Sequence, residues 1–95
     1  MPDILDELQA IINDRKRNPK AGSYTNRLFD EGTSRIAQKV GEEAVEVVVA
    51  ALTHEREAQI NEFCDLFYHT IVLMTHLDIT LYDVFAELEK RHKKS

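Results

Sequence analysis

Two short stretches of this sequence carry more acid than their surroundings explain. Glu42, Glu43 and Glu46 lie within Glu-Glu-Ala-Val-Glu, and Glu62 and Asp65 lie within Glu-Phe-Cys-Asp. On a helix, residues three or four apart share a face. Glu43 and Glu46 are then neighbours, as are Glu42 and Glu46, and Glu62 and Asp65. His69, four beyond Asp65, continues the second stripe. If the two stretches are antiparallel neighbouring helices, Glu43, Glu46, Glu62 and Asp65 converge. Ionised groups withdrawn from water are costly unless paired or metal-bound. Ligand sets made only of oxygen suit hard cations such as Mg²⁺, with Mn²⁺ as a substitute. Cations held in this way clamp phosphate oxygens, neutralise developing charge and lower the pKa of bound water. Those are the requirements for hydrolysing a phosphoanhydride with an in-line water. One Glu-x-x-Glu is ordinarily a solvated helix face. Its repetition on two apolar helices is what argues for a metal.

Cations stand close to these acids. Lys39 precedes Glu43 by four residues and shares its face, which makes it a candidate phosphate contact; Arg35 lies one turn further back, and Arg27 sits in a short segment that can lie over the site. His69 is either a phosphate or carboxylate partner or a satisfied core histidine. Gly22, Gly32 and Gly41 form no phosphate-binding loop. No Ser–His–Asp or Cys–His set suggests a nucleophile, and Cys64, among apolar neighbours, is expected in the core. A di-iron carboxylate bundle needs two Glu-x-x-His motifs. The chain has one, Glu89 to His92, which argues against that centre.

The elements that must position these residues read as helices. Ile4, Leu5, Leu8, Ile11 and Ile12 recur at helical spacing over about Asp3 to Arg17, with Asp3 as the cap, and Arg15 to Gly22, which contains Asn18-Pro19, reads as a loop. Ser23 opens a short segment ending at Glu31, with Gly32 as its terminator. Thr33 or Ser34 is expected to cap a long helix to about Thr53. Apolar residues surround most of that helix, so it is expected to be buried. Val47-Val48-Val49 is not taken as a strand, because the helical pattern extends well beyond it. A further helix runs from about Ala58 to Leu77. Thr80 with Asp83 resembles a capping box for a last helix containing Leu81, Val84, Phe85 and Leu88, followed by a basic, solvated tail from Lys90 to Ser95. The fold class predicted is all-α, a bundle of about five helices in a single domain, residues 1–95.

Composition narrows the function. With 95 residues, 43% hydrophobic and 31% charged, the chain suits one folded domain rather than a disordered one. A domain this small commonly gains stability by oligomerising. Its net charge of −5 argues against a nucleic-acid partner. Cys64 is the only cysteine, which suits a reducing compartment. No apolar stretch reaches membrane-spanning length. Met1-Pro2-Asp3 lacks the basic and apolar regions of a signal peptide, so a cytoplasmic location is expected.

Glu42-Glu43-Ala44-Val45-Glu46 followed by Glu62-Phe63-Cys64-Asp65 is similar to the EExxE…ExxD signature of MazG-type all-α nucleotide pyrophosphohydrolases. Ser23-Tyr24-Thr25, Gln38-Lys39-Val40-Gly41 and Asp65-Leu66-Phe67-Tyr68-His69 further resemble the phosphoribosyl-ATP pyrophosphohydrolase family, as do Leu5 to Leu8, Arg15-Lys16 and Asn18-Pro19. The resemblance covers essentially the whole chain. It implies hydrolysis of phosphoribosyl-ATP to phosphoribosyl-AMP and pyrophosphate, the second step of histidine biosynthesis. It also implies Mg²⁺ and a homodimer of intertwined helices. Carried over residue by residue, the metal ligands are Glu43, Glu46, Glu62 and Asp65. Glu42 is the remaining acid of the motif, implied to hold a further metal or to help activate water. Lys39 is a phosphate contact, and Ser23, Tyr24, Thr25 and Arg27 are further substrate-site candidates. Some members of the family are fused to a cyclohydrolase; a chain of this length is expected to be the stand-alone form. The chain departs from many relatives after Ala50-Ala51, where Leu52-Thr53-His54 stands in place of an early lysine. Two other readings are kept: a house-cleaning enzyme acting on free nucleoside triphosphates, and a non-catalytic helical dimerisation module.

Overall fold

Local chemistry sets where each helix starts and stops. The computed structural model describes residues 3–93, so Met1-Pro2 of the expected leaderless start and Lys94-Ser95 of the expected tail lie outside the described residues. Five helices follow in order: α1 (Ile4–Arg17), α2 (Tyr24–Glu31), α3 (Thr33–Ala51), α4 (Arg56–His76) and α5 (Leu81–His92). The described residues contain no strand, as the all-α reading expects, and Val47 to Val49 lie within α3.

The Ser23 hydroxyl caps α2 by accepting the Asn26 N–H at 3.2 Å. Gly32, at φ +90°, ends α2 and begins α3, a backbone turn that suits a residue without a Cβ. It therefore takes the capping position expected of Thr33 or Ser34. Thr33 is already helical, and its hydroxyl lies 2.9 Å from His76 Nε2. Asp3 occupies the cap of α1 without a side-chain hydrogen bond. α3 stops at Ala51 because Thr53 turns back, its hydroxyl donating to the Ala50 carbonyl at 2.7 Å. At α5 the reciprocal box is complete: Thr80 Oγ1 accepts from Asp83 N at 3.1 Å, and Asp83 Oδ2 accepts from Thr80 N at 2.9 Å. The basic residues Lys90, Arg91 and His92 form its last turn, where cations favour the negative helix end.

α3 and α4 form the main contact, with α1 on α4 and α2 on α3. Their antiparallel sense is fixed at both ends. Thr33, opening α3, meets His76, closing α4, while Gln59, early in α4, donates to the Ala50 carbonyl at 3.2 Å. The core draws on all five helices: Ile12, Leu28, Ile36, Ile71, Val72 and Leu81. Each such side chain contributes about 1.5–3 kcal/mol of burial.

Full burial of the central helix, expected from its apolar circumference, does not hold within one chain. In α3 only Ile36, Glu43 and Ala50 are buried, whereas Val45, Val48 and Val49 are exposed. α4 likewise exposes Ile60, Phe63 and Phe67. The other helices cover only the half of the hairpin away from its connecting loop. Cys64 is exposed on this same uncovered half and is not a core residue.

Candidate active site

The hairpin brings three of the predicted carboxylates together. Glu43 from α3 and Glu62 and Asp65 from α4 each offer an oxygen within 4.8 Å of the others. The i, i+3 spacing of Glu62 and Asp65 puts both on the face of α4 turned to Glu43. Glu43 is buried and Asp65 exposed, so the group spans the boundary between protein and solvent. One oxygen of Glu62, Oε1, is sealed from solvent without a hydrogen-bond partner. Desolvation pushes the Glu62 carboxyl above its ordinary range, and the charges of Glu46, Asp65 and Glu43 push it further.

Glu46 lies outside the group of three and is exposed. Its charge nevertheless acts on Glu62 more strongly than that of either other acid. Glu42 turns elsewhere: Gln38 Nε2 donates to its Oε2 at 2.8 Å, and Lys39 Nζ lies 3.5 Å from its Oε1. The Gln38 hydrogen bond, aided by Lys39 and Arg35, holds the Glu42 carboxyl below its ordinary range. Lys39 joins Glu42 to the cluster, with its ammonium also 3.5 Å from Glu43 Oε2. Burial alone would lower the Lys39 pKa, but Tyr24, Glu43 and Glu42 outweigh it and hold the ammonium above its usual value.

His69 forms the wall behind Asp65. It is buried, and its Nδ1–H donates to the Asp65 backbone carbonyl at 2.7 Å. In the neutral ring Nε2 then accepts from the Tyr24 hydroxyl, 3.0 Å away. Tyr68 meets both rings, 6.3 Å from Tyr24 in a stacked arrangement and 5.0 Å from His69 edge-on. Thr25 Oγ1 hydrogen-bonds the Tyr68 hydroxyl. Desolvation pushes the Tyr68 hydroxyl pKa up, although the Thr25 bond opposes this. The Arg27 guanidinium sits 5.3 Å from the Tyr24 ring centroid.

Of the substrate-site candidates, Ser23 is thus engaged as a cap and Thr25 as a partner of Tyr68. Tyr24, Lys39 and His69 flank the acids, and Arg27 stands one ring away. The sequence reading gave no role to Gln38 or Tyr68. Spacing held a partial signal for Gln38, four before Glu42. The Tyr68 contact crosses from α4 to α2 and has no local signature.

Three carboxylates with one orphaned, desolvated oxygen fit a hard divalent cation, which would satisfy that oxygen and offset the mutual repulsion of the acids. Fold and cluster together define an all-α protein that gathers acids across a helical hairpin. The chain belongs to the phosphoribosyl-ATP pyrophosphohydrolase family, whose model matches residues 5–92. It is 49% identical over 92 residues to a phosphoribosyl-ATP pyrophosphatase of Clostridium acetobutylicum, covering 97% of this chain and 84% of that one. A phosphoribosyl-ATP pyrophosphatase of Pyrobaculum aerophilum is 50% identical over 90 residues, 95% of this chain and 96% of its own. The histidine biosynthesis bifunctional protein HisIE of Pyrococcus furiosus is 51% identical over 90 residues, and the match covers 42% of its length.

Proposed function

We propose that this chain hydrolyses phosphoribosyl-ATP to phosphoribosyl-AMP and pyrophosphate in histidine biosynthesis, as a single domain in the cytoplasm. Family membership along residues 5–92 supports the substrate. The single observation that carries the chemistry is the convergence of Glu43, Glu62 and Asp65 around an orphaned carboxylate oxygen. These three residues, with Glu46 beside them, would hold Mg²⁺ or its substitute Mn²⁺. When bound, such an ion neutralises charge on phosphate oxygens and acidifies water.

The protein's own groups do the rest. Water forms a new P–O bond to the α-phosphorus as the bond from that phosphorus to the bridging oxygen breaks; pyrophosphate departs with that oxygen and the electron pair, and the attacking water gives up a proton to solvent. Lys39, held between Glu42 and Glu43, supplies a fixed positive charge for the phosphate chain. Glu42 serves chiefly by fixing Lys39. His69 and Tyr24 hold the Asp65 turn of α4 against α2, which keeps the acids in register. The apolar face left open by Val45, Val48, Phe63 and Phe67 supports a homodimer, in which a second copy covers it.

The test is pyrophosphate release from phosphoribosyl-ATP with Mg²⁺, with EDTA, and with a panel of free nucleoside triphosphates. Release from phosphoribosyl-ATP alone, and only with metal, is expected. Release only from a free nucleotide would replace the substrate. Silence across the panel would contradict an enzymatic role.

A further inference from the structure

Two adjoining depressions open where the α1–α2 connection meets α2. One is lined by Lys20, Ser23, Asn26, Arg27 and Asp30 among others, and the second by Arg15, Lys20 and Ser23 among others. Lys20 and Ser23 belong to both, so the two share a wall, and three cations line the concave region that they make up. Asn26 builds it. Its Nδ2 donates to the Arg15 carbonyl at 2.6 Å, and its Oδ1 accepts the Lys20 N–H at 2.8 Å. One side chain thereby ties the last turn of α1, which carries Arg15, to the following connection, which carries Lys20. Gly22, at φ +82°, and a bond from Ser23 N–H to the Lys20 carbonyl at 3.1 Å complete the turn.

The charges there are not consumed internally. Arg15 shares one N–H with Asp14 at 3.1 Å, which leaves its other donors available. Lys20 and Arg27 form no ion pair among the described residues, and Asp30 is the one acid lining the concavity. Arg27 also ties the concavity to the acidic site. Its guanidinium lies 5.3 Å from the Tyr24 ring, the Tyr24 hydroxyl lies 3.0 Å from His69 Nε2, and His69 Nδ1 bonds the carbonyl of Asp65. Tyr24 therefore touches both groups, reaching the acids through His69 and the cations through Arg27.

A phosphoribosyl nucleotide has two separate anionic ends, the triphosphate and the phosphate on its second ribose. The acidic cluster accepts a phosphate only through a cation, whereas a cationic concavity accepts one directly. We infer that Arg15, Lys20 and Arg27 bind the ribose 5-phosphate end of the substrate, and that Asn26 positions them. This inference rests on the proposed function and adds its specificity: the concavity selects a phosphoribosyl-bearing nucleotide over a plain nucleoside triphosphate.

The test measures pyrophosphate release from phosphoribosyl-ATP by the wild type and by Lys20→Ala and Arg15→Ala, with ribose 5-phosphate as a competing probe. Lys20 is exposed with no side-chain partner, so Lys20→Ala should melt as the wild type does. Loss of one charge-assisted phosphate contact should raise KM about tenfold or more. kcat should be nearly unchanged, as expected when binding is lost equally from substrate and transition state. Inhibition by ribose 5-phosphate should weaken in parallel. An active wild type whose Lys20→Ala and Arg15→Ala variants keep its KM and its ribose 5-phosphate inhibition would overturn the inference and leave the proposed function standing. A wild type that releases no pyrophosphate from phosphoribosyl-ATP would overturn both.

Discussion

The two ends of the α3–α4 hairpin are similarly apolar in sequence and differ in what covers them. At the end away from the loop, α1, α2 and α5 close over Ile36, Ile71 and Val72, which are at most 3% exposed. Toward the loop, Val48 is 60% exposed and Phe63 49%. The acidic cluster lies between these regions, with Glu43 buried on one side and Asp65 open on the other. Apolar patterning alone therefore tells which faces need cover and not whether the same chain supplies it. The acids sit at the margin of the finished core, one carboxylate oxygen sealed from solvent and the Asp65 side of the group open to it.

The comparison can be broken at each of its parts. The largest effect is expected at the margin itself. Glu43→Ala or Asp65→Ala should reduce pyrophosphate release by more than about a hundredfold while the far-ultraviolet circular dichroism stays helical. Wild-type rates in both variants would remove the acids from the site. In the covered half, Ile36→Ala should cost about 2–5 kcal/mol in denaturant unfolding. In the uncovered half, Val48→Asp should instead show in sedimentation, as a shift of the proposed dimer to the mass of one chain. A Val48→Asp protein that keeps the wild-type mass would place the second copy elsewhere. Thr80→Ala, which removes the α5 cap far from the site, should cost about 1 kcal/mol and leave turnover unchanged.

Much of this was legible in the sequence because it is local. The capping box at Thr80 and Asp83 and the stop at Gly32 depend on residues within one turn, and both stand in the structure. So does the facing of Glu62 and Asp65, which follows from their three-residue spacing. The convergence of Glu43 with them depends on the packing of α3 against α4. What was not legible depends on partners distant in the chain. The Ser23 hydroxyl caps α2 and the Thr25 hydroxyl reaches Tyr68 on α4, and the second of these contacts has no local signature. Glu46 shares a face with Glu43 in sequence, and in the structure it stands outside the group of three while its charge still acts on Glu62. Cys64 read as core because its neighbours are apolar, and they are exposed with it.

The most direct test of the central claim follows the melting temperature of the metal-free protein as Mg²⁺ is added, in the wild type and in Glu62→Gln. Desolvation and the neighbouring acids raise the Glu62 carboxyl pKa in the folded state. Stability without metal therefore falls as pH rises from the unfolded-state value through the folded one, and the loss persists above it. Glu62→Gln removes that loss, so without metal it should melt above the wild type at pH 7. A cation bound only by the folded state raises the melting temperature by linkage. The account predicts a clear Mg²⁺-dependent rise in the wild type and little or none in Glu62→Gln. Equal rises in the two proteins, or none in the wild type, would contradict it.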